Sequence, residues 1–117
     1  MTVYADNAAT TQMSDSVLKA MMPLLTDIYG NPSSLHSVGQ IAKEHLEAAR
    51  ETVAECIGAD PKEIYFTSGG SEADNQAIRS AAYIGARKGK KHIISSKFEH
   101  HAVLHTLDAL KKEGFEV

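Results

Sequence analysis

Apolar side chains recur at helical spacing in several stretches of the chain, and each stretch is bounded by a cap or a glycine. This pattern predicts four helices. The first follows Ser14 and stops at Tyr29-Gly30, and the second runs from about Ser37 to Ile57. The third runs from the glycine loop around residue 70 to about Arg87, and the fourth ends before Gly114. His45 and Cys56 share the apolar stripe of the second predicted helix. We therefore expect both to be packed in the core, Cys56 as a small hydrophobic residue.

Three short β-rich runs lie between and after the later helices, at residues 63–67, 92–95 and 115–117. Because strands and helices alternate at this spacing, the pattern predicts parallel βαβαβ units behind two N-terminal helices. The predicted fold class is α/β. The chain stops where the third strand should begin, so we expect either an open sheet edge or further protein beyond it.

Composition excludes several classes of function. The formal net charge is -3 and basic residues are mixed with acidic ones, so no nucleic-acid footprint is expected. No apolar run approaches the ~20 residues that cross a bilayer, and the first residues do not read as a signal peptide. One cysteine allows no internal disulfide and fits a reducing compartment. We predict a cytoplasmic protein without membrane or nucleic-acid partners.

The loop FTSGGSEADNQAI, residues 66–78, joins a predicted strand to a predicted helix. Its glycines let an anion approach the backbone N–H groups at the helix N-terminus, and Ser71 adds a hydroxyl, so Gly70 and Ser71 are candidate phosphate ligands. The loop is neither a P-loop nor a dinucleotide fingerprint. Taken alone it also fits an ordinary connector in which Glu72 and Asp74 cap the helix.

His100 follows the second predicted strand and opens the last predicted helix. Ligands gather outside the carboxyl ends of parallel strands, so His100 is expected on the same edge as the glycine loop. Its imidazole could stack on an aromatic ring or exchange protons near neutral pH. It could equally cap the helix in solvent.

The chain has six histidines, and His101 and His105 stand four residues apart. Such a pair can share one helix face and bind zinc. The glutamate of a His-Glu-x-x-His motif is absent and no cysteine lies nearby, so we predict no metal site.

Four ordered segments together resemble the N-terminal part of the cysteine desulfurases of NifS/IscS type, within the class V aminotransferases that use pyridoxal phosphate. The segments are YADNAATT at residues 4–11, GNPSSLH at 30–36, FTSGGSEADN at 66–75 and SKFEH at 96–100. The resemblance runs along essentially the whole chain, in order and at the family's spacing.

The resemblance implies a fold-type I, three-layer α/β/α architecture with a mostly parallel sheet. Residues 1–117 would form a single partial domain, with a lead-in and two helices in 1–60 and the start of the cofactor-binding large domain in 61–117. It implies pyridoxal 5'-phosphate as cofactor, with its phosphate at Gly70 and Ser71. His100 would stack on the ring and assist proton transfer, as the catalytic residue of this segment.

The activity implied by the resemblance is removal of sulfur from L-cysteine. The reaction leaves L-alanine and an enzyme persulfide, whose sulfur serves iron–sulfur cluster or thio-cofactor assembly. The resemblance also implies a homodimer and a sulfur-acceptor scaffold protein as partner.

The family's cofactor-binding lysine, its pyridine-facing aspartate, its persulfide cysteine and its substrate-binding arginine all lie beyond residue 117. We therefore expect an N-terminal fragment that is inactive alone. Two alternatives stay open: a fragment of a related class V aminotransferase or selenocysteine lyase, and a non-enzymatic module that binds phosphate or dimerises through its sheet edge.

Overall fold

The computed structural model describes residues 2–117. Its helices are α1 (Asp15–Thr26), α2 (Ser37–Ile57), α3 (Gly70–Ala86) and α4 (His101–Lys112), with a 3₁₀ turn at Pro61–Glu63. The chain divides into two compact units, of which the first ends at Ile64 and the second is Tyr65–Val117. None of the described helices combines the length and the apolar content that a membrane span requires.

Helix α1 begins as its sequence predicts. Ser14 is the N-cap, and its hydroxyl accepts a hydrogen bond from the Val17 N–H at 3.4 Å. The helix ends at Thr26, a few residues before the predicted stop, and the Pro23 carbonyl accepts bonds from the N–H groups of Asp27 and Ile28. No residue of α1 is buried, so its apolar stripe defines a face that no described element covers.

Helix α2 has the predicted bounds, because both of its ends are capped. The His36 imidazole is the N-cap and accepts the Gly39 N–H at its Nδ1, 3.3 Å away. Gly58 takes the left-handed conformation with φ 67° and donates its N–H to carbonyls of the last turn. A side chain at that φ is disfavoured, which is why glycine ends the helix there.

The expectation that His45 and Cys56 are buried is wrong. Both side chains are exposed, and the buried residues of α2 are Gly39 and Ala54. Helical spacing shows which residues share a face, but not whether another element covers that face. Here α2 packs against the short 3₁₀ turn, which covers only a small part of its length.

The core of the second unit lies between α3 and α4. Ala82, Leu110 and Phe115 are buried, Leu110 with no exposed surface, and Ile78, Ala86 and Ile93 pack against them in part. Leu107 and Leu110, on the apolar stripe of α4, are buried as their helical spacing predicts, whereas Ile84 on the apolar stripe of α3 is exposed. The buried residues of this core lie toward the C-terminal ends of α3 and α4.

The predicted βαβαβ strands are not formed as such. Residues 63–67 contain no strand: Glu63 belongs to the 3₁₀ turn, where its carboxylate accepts the Asp60 N–H at 2.9 Å. The other two runs meet in one isolated parallel bridge, His92 with Glu116. Ile93 N–H donates to the Glu116 carbonyl at 2.8 Å, and Glu116 N–H donates to the Lys91 carbonyl at 2.9 Å. A strand requires a continued ladder of such bonds, and within residues 2–117 the ladder is limited to this bridge.

Candidate functional site

A polar groove of about 460 Å³ opens between the N-terminal ends of α3 and α4 in the second unit. Hydroxyl, amide, guanidinium and imidazole groups converge on it. It is lined by Ser71, Asn75, Arg79, His100, His101, Ala102, His105 and Thr106. The structure thus brings two of the sequence-predicted site residues, Ser71 and His100, to one groove, and Gly70 directly precedes Ser71 at the start of α3.

A second groove in the same unit, of about 340 Å³, has a largely apolar lining that includes Ile78, Ile93 and Leu107. Lys90 and His92 are the ionisable residues among those that line it. It lacks the converging polar groups that fix a small polar ligand, so the polar groove is the better candidate site.

The first turn of α3 presents backbone donors to this region. The N-cap Gly69 makes no side-chain cap bond, and the first helical bond runs from the Ala73 N–H to the Gly69 carbonyl at 3.1 Å. The N–H groups of the residues between them precede the helical ladder and lie at the positive end of the helix dipole. A Cβ atom added to Gly69 or Gly70 would meet nothing within 4 Å, so the backbone is open to a bulky group.

Glu72 bends back onto the residue that precedes this turn. Its Oε2 accepts the Ser68 N–H at 2.7 Å and the Ser68 hydroxyl at 2.6 Å. Both bonds lower the pKa of the Glu72 carboxyl from its ordinary value, and the bond from the hydroxyl has the larger effect. Glu72 therefore does not cap α3: its partner is Ser68, which precedes the N-cap Gly69, and the N–H groups of the first turn stay accessible.

His100 is the N-cap of α4. Its Nδ1 accepts the Ala102 N–H at 3.1 Å, and the side chain is exposed. Because Nδ1 accepts this bond, the proton of the neutral imidazole resides on Nε2. The helix-capping interpretation of His100 is therefore correct, and the same ring also forms part of the groove wall.

The groove carries further cationic and titratable groups. The His101 and His105 rings lie 5.4 Å apart between centroids, and Arg79 forms an ion pair with Glu113 at 3.3 Å. The hydrogen bond from Arg79 to the Tyr83 hydroxyl is the largest of the causes that raise the pKa of Arg79. Among the residues that the structure describes, no group of three or more His, Cys, Asp or Glu side chains is arranged to hold a metal ion.

Asn75 and Thr106 are two groove residues that the sequence did not single out. The Thr106 hydroxyl donates to Asn75 Oδ1 at 2.6 Å across 31 residues of sequence, and Asn75 Nδ2 donates to the Ser71 carbonyl at 2.8 Å. The four-residue spacing from Ser71 to Asn75 could have indicated the second contact. No local signal indicates the first, because it joins two helices.

Comparison with known proteins places the chain in a family. Residues 3–117 match the family described as "Aminotransferase class-V". The chain belongs to the class-V aminotransferase family.

Within that family the chain is similar to cysteine desulfurases. It is 50% identical over 115 residues to "Cysteine desulfurase IscS" of Methanosarcina thermophila, which covers 98% of this chain and 28% of the relative. The chain thus spans less than a third of the length of that curated relative.

Two solved structures share its fold. One, "NIFS-LIKE PROTEIN", has a TM-score of 0.92 and 43% identity, covering 100% of this chain and 32% of the other. Another, "SspA in complex with cysteine", has a TM-score of 0.88 and 40% identity, covering 99% of this chain and 33% of the other.

Proposed function

We propose that the second unit holds pyridoxal 5'-phosphate, with the phosphate at Gly70 and Ser71 and the ring against His100. The observation that carries this proposal is that Ser71 and His100 line one groove at the N-terminal ends of two packed helices. When bound, the cofactor supplies an electron sink for chemistry at an amino-acid carbon.

The residues present fit such a group. Open space over Gly69 and Gly70 admits a phosphate to the first-turn N–H groups of α3, whose dipole favours a negative charge. The Ser71 hydroxyl adds a donor. The Ala102 N–H occupies Nδ1 of the His100 ring, which leaves Nε2 as the atom that can give or take a proton.

We propose further that the whole protein desulfurates L-cysteine, giving L-alanine and a persulfide whose sulfur serves iron–sulfur or thio-cofactor assembly. Half of the aligned residues are shared with a cysteine desulfurase, and a structural neighbour is described in complex with cysteine. A homodimer, a sulfur-acceptor scaffold protein and a cytoplasmic location belong to the same proposal. The single cysteine of the chain fits a reducing compartment.

The architecture that goes with this function is the three-layer α/β/α fold of fold-type I enzymes. The parallel bridge between His92 and Glu116 has the strand direction that a mostly parallel sheet requires. The likeness to a NifS-like structure supports the same assignment. We propose that residues 61–117 form the start of the cofactor-binding domain and residues 1–60 its N-terminal lead-in.

Cofactor binding is tested by titrating pyridoxal 5'-phosphate into the ¹⁵N-labelled chain, with pyridoxal and inorganic phosphate as separate probes. We expect saturable shifts at the Gly70, Ser71 and His100 amides with the full cofactor, and at Gly70 and Ser71 alone with phosphate. Borohydride reduction followed by intact mass measurement separates this binding from random lysine modification. Heterogeneous lysine adducts without shifts at Ser71 would overturn the proposed site.

The desulfurase activity is tested in a chimaera in which this chain replaces the aligned segment of the Methanosarcina thermophila relative. We expect the chimaera to release sulfide from L-cysteine in the presence of a thiol reductant. Matched chimaeras with Ser71→Ala or His100→Ala should lose most of this release. A folded chimaera that retains the cofactor and releases no sulfide would contradict the proposed activity.

A further inference from the structure

A series of hydrogen bonds, linked through the backbone of Ala102, connects Ser71 to His100 across the α3–α4 contact. The series starts at the Ser71 carbonyl, which accepts from Asn75 Nδ2 at 2.8 Å. The other end of the same amide, Asn75 Oδ1, lies 2.6 Å from the Thr106 hydroxyl. Asn75 therefore connects the first turn of α3 directly to α4.

The series continues along α4 to the imidazole. Thr106 Oγ1 lies 2.8 Å from the Ala102 carbonyl, and the Ala102 N–H donates to His100 Nδ1 at 3.1 Å. A hydroxyl has one proton, so Thr106 donates to the Asn75 and Ala102 oxygens by sharing it or by alternating between them. Thr106 is only 2% exposed, which excludes water as an easy substitute partner.

We propose that Asn75 and Thr106 are positioning residues that hold Ser71 and His100 at the separation needed to bind one ligand at both points. The inference rests on the proposed function, because the ligand in question carries an anionic group and an aromatic ring at a fixed distance. Neither residue is a catalytic residue, since each acts through the backbone of a neighbour: Asn75 on Ser71, and Thr106 on the turn that presents His100.

The physical reason is that apolar packing alone leaves two helices free to slide or rotate slightly against each other, whereas a hydrogen bond specifies one register. Small displacements in a binding site are costly because the ligand's own geometry does not adjust. Thr106 is buried and bonded to the Asn75 amide across the α3–α4 contact. It is therefore placed where it sets the distance between the two groove residues that bind the ligand.

The test compares variants of the full 117-residue chain. Thr106→Val keeps the shape of the side chain and removes the donor, whereas Thr106→Ser keeps the hydroxyl. Thr52→Val is the matched control, because Thr52 makes the same bond to a carbonyl four residues earlier, to Ala48 at 2.9 Å, but lies on α2 outside the groove. Circular dichroism verifies that each variant retains its helices.

Two readouts are combined. The first is the affinity for pyridoxal 5'-phosphate, which we expect to fall about five- to tenfold in Thr106→Val, in keeping with one lost hydrogen bond, and to stay near the unmutated value in Thr106→Ser. The second is the ring ¹⁵N shift of His100 together with hydrogen exchange at the Asn75 side-chain amide in the free chain. Thr106→Val should change both, and Thr106→Ser and Thr52→Val should change neither.

The outcomes separate this inference from the proposed function. If the unmutated chain does not bind the cofactor but the His100 and Asn75 signals respond as expected, the positioning role stands and the cofactor proposal fails. If Thr106→Val leaves affinity and both signals unchanged, the positioning role is overturned. Should Thr106→Val lose its helical signal, Asn75→Ala decides the matter by cofactor affinity and the His100 ring ¹⁵N shift alone, since the Asn75 side chain is partly exposed and less important to the core.

Discussion

A methyl group on Gly39 would lie 2.6 Å from the backbone carbonyl oxygen of Asn31 and equally close to the Cβ of Ser34. Gly39 is buried in the first turn of α2, and its N–H is the donor that His36 caps. The loop before α2 thus folds back onto the helix so closely that only a residue without a side chain fits. The glycine is required by close approach of two backbones rather than by an unusual φ.

Gly39→Ala should therefore destabilise the chain although alanine is the better helix former. The overlap costs about 1–3 kcal/mol when the backbone must move, and the gain in helix propensity returns about 1 kcal/mol. Urea unfolding followed by circular dichroism measures the difference. Unchanged or increased stability would show that the loop can move away from α2 at little cost.

Gly70→Ala, unlike Gly39→Ala, should not destabilise the chain but should weaken ligand binding. An added Cβ meets nothing within 4 Å, so stability should be unchanged or increased by up to about 1 kcal/mol through the unfolded state. Under the proposed function the same methyl group occupies the approach to the first-turn N–H groups, and phosphate affinity should fall several-fold. Urea unfolding and a phosphate titration of the same preparation check both halves, and equal affinity would show that the anion approaches elsewhere.

The helices of this chain are largely predictable from sequence because their determinants are local. Ser14 caps α1 as predicted, and α2 has its predicted bounds, with Gly58 in the left-handed conformation at its end. Side-chain burial is less predictable. Cys56 lies on an apolar stripe and is nevertheless exposed, because burial depends on which other element reaches that face.

The strands and the interior of the site depend on partners distant in sequence. The predicted run at residues 63–67 forms no ladder, and the other two runs share one bridge between His92 and Glu116. Three candidate site residues can be identified from sequence alone because each lies in or beside a recognisable loop. They are Gly70, Ser71 and His100. The link from Asn75 to Thr106 spans 31 residues and has no local pattern, so only the packing of α3 on α4 shows it.

The Glu72 carboxyl should titrate below its ordinary value of 4.5 in the folded chain, since both Ser68 donors favour the ionised form. A lowered folded pKa means that this contribution to stability is present above the ordinary pKa and is lost as pH falls through the lower folded value. The measurement is the ¹³C shift of the Glu72 carboxyl against pH in the folded chain.

Ser68→Ala is the comparison for that titration. It removes the hydroxyl bond and leaves the backbone bond, so the pKa of Glu72 should move part of the way back toward its ordinary value. A Glu72 that titrates at or above 4.5 in the unmutated chain would show that the carboxylate does not hold Ser68 in solution.

His100 combines a helix cap with the proposed ring contact, and two substitutions distinguish the roles. Asparagine is a good N-cap, so His100→Asn should preserve the start of α4, whereas His100→Ala should lose about 1 kcal/mol of stability. Neither residue offers an imidazole to stack on a ring. Affinity for pyridoxal 5'-phosphate should therefore fall to a similar extent in both variants, while thermal unfolding distinguishes them.

His36 provides the control, because its Nδ1 caps α2 as His100 caps α4 and it is not among the residues that line the groove. His36→Asn should leave both stability and cofactor affinity close to those of the unmutated chain. If His100→Asn binds pyridoxal 5'-phosphate as tightly as the unmutated chain, His100 is a helix cap alone, and the ring contact must come from another residue. If cofactor affinity falls in proportion to thermal stability across His100→Asn, His100→Ala and His36→Asn, cofactor binding depends on an ordered N-terminus of α4 and not on the imidazole.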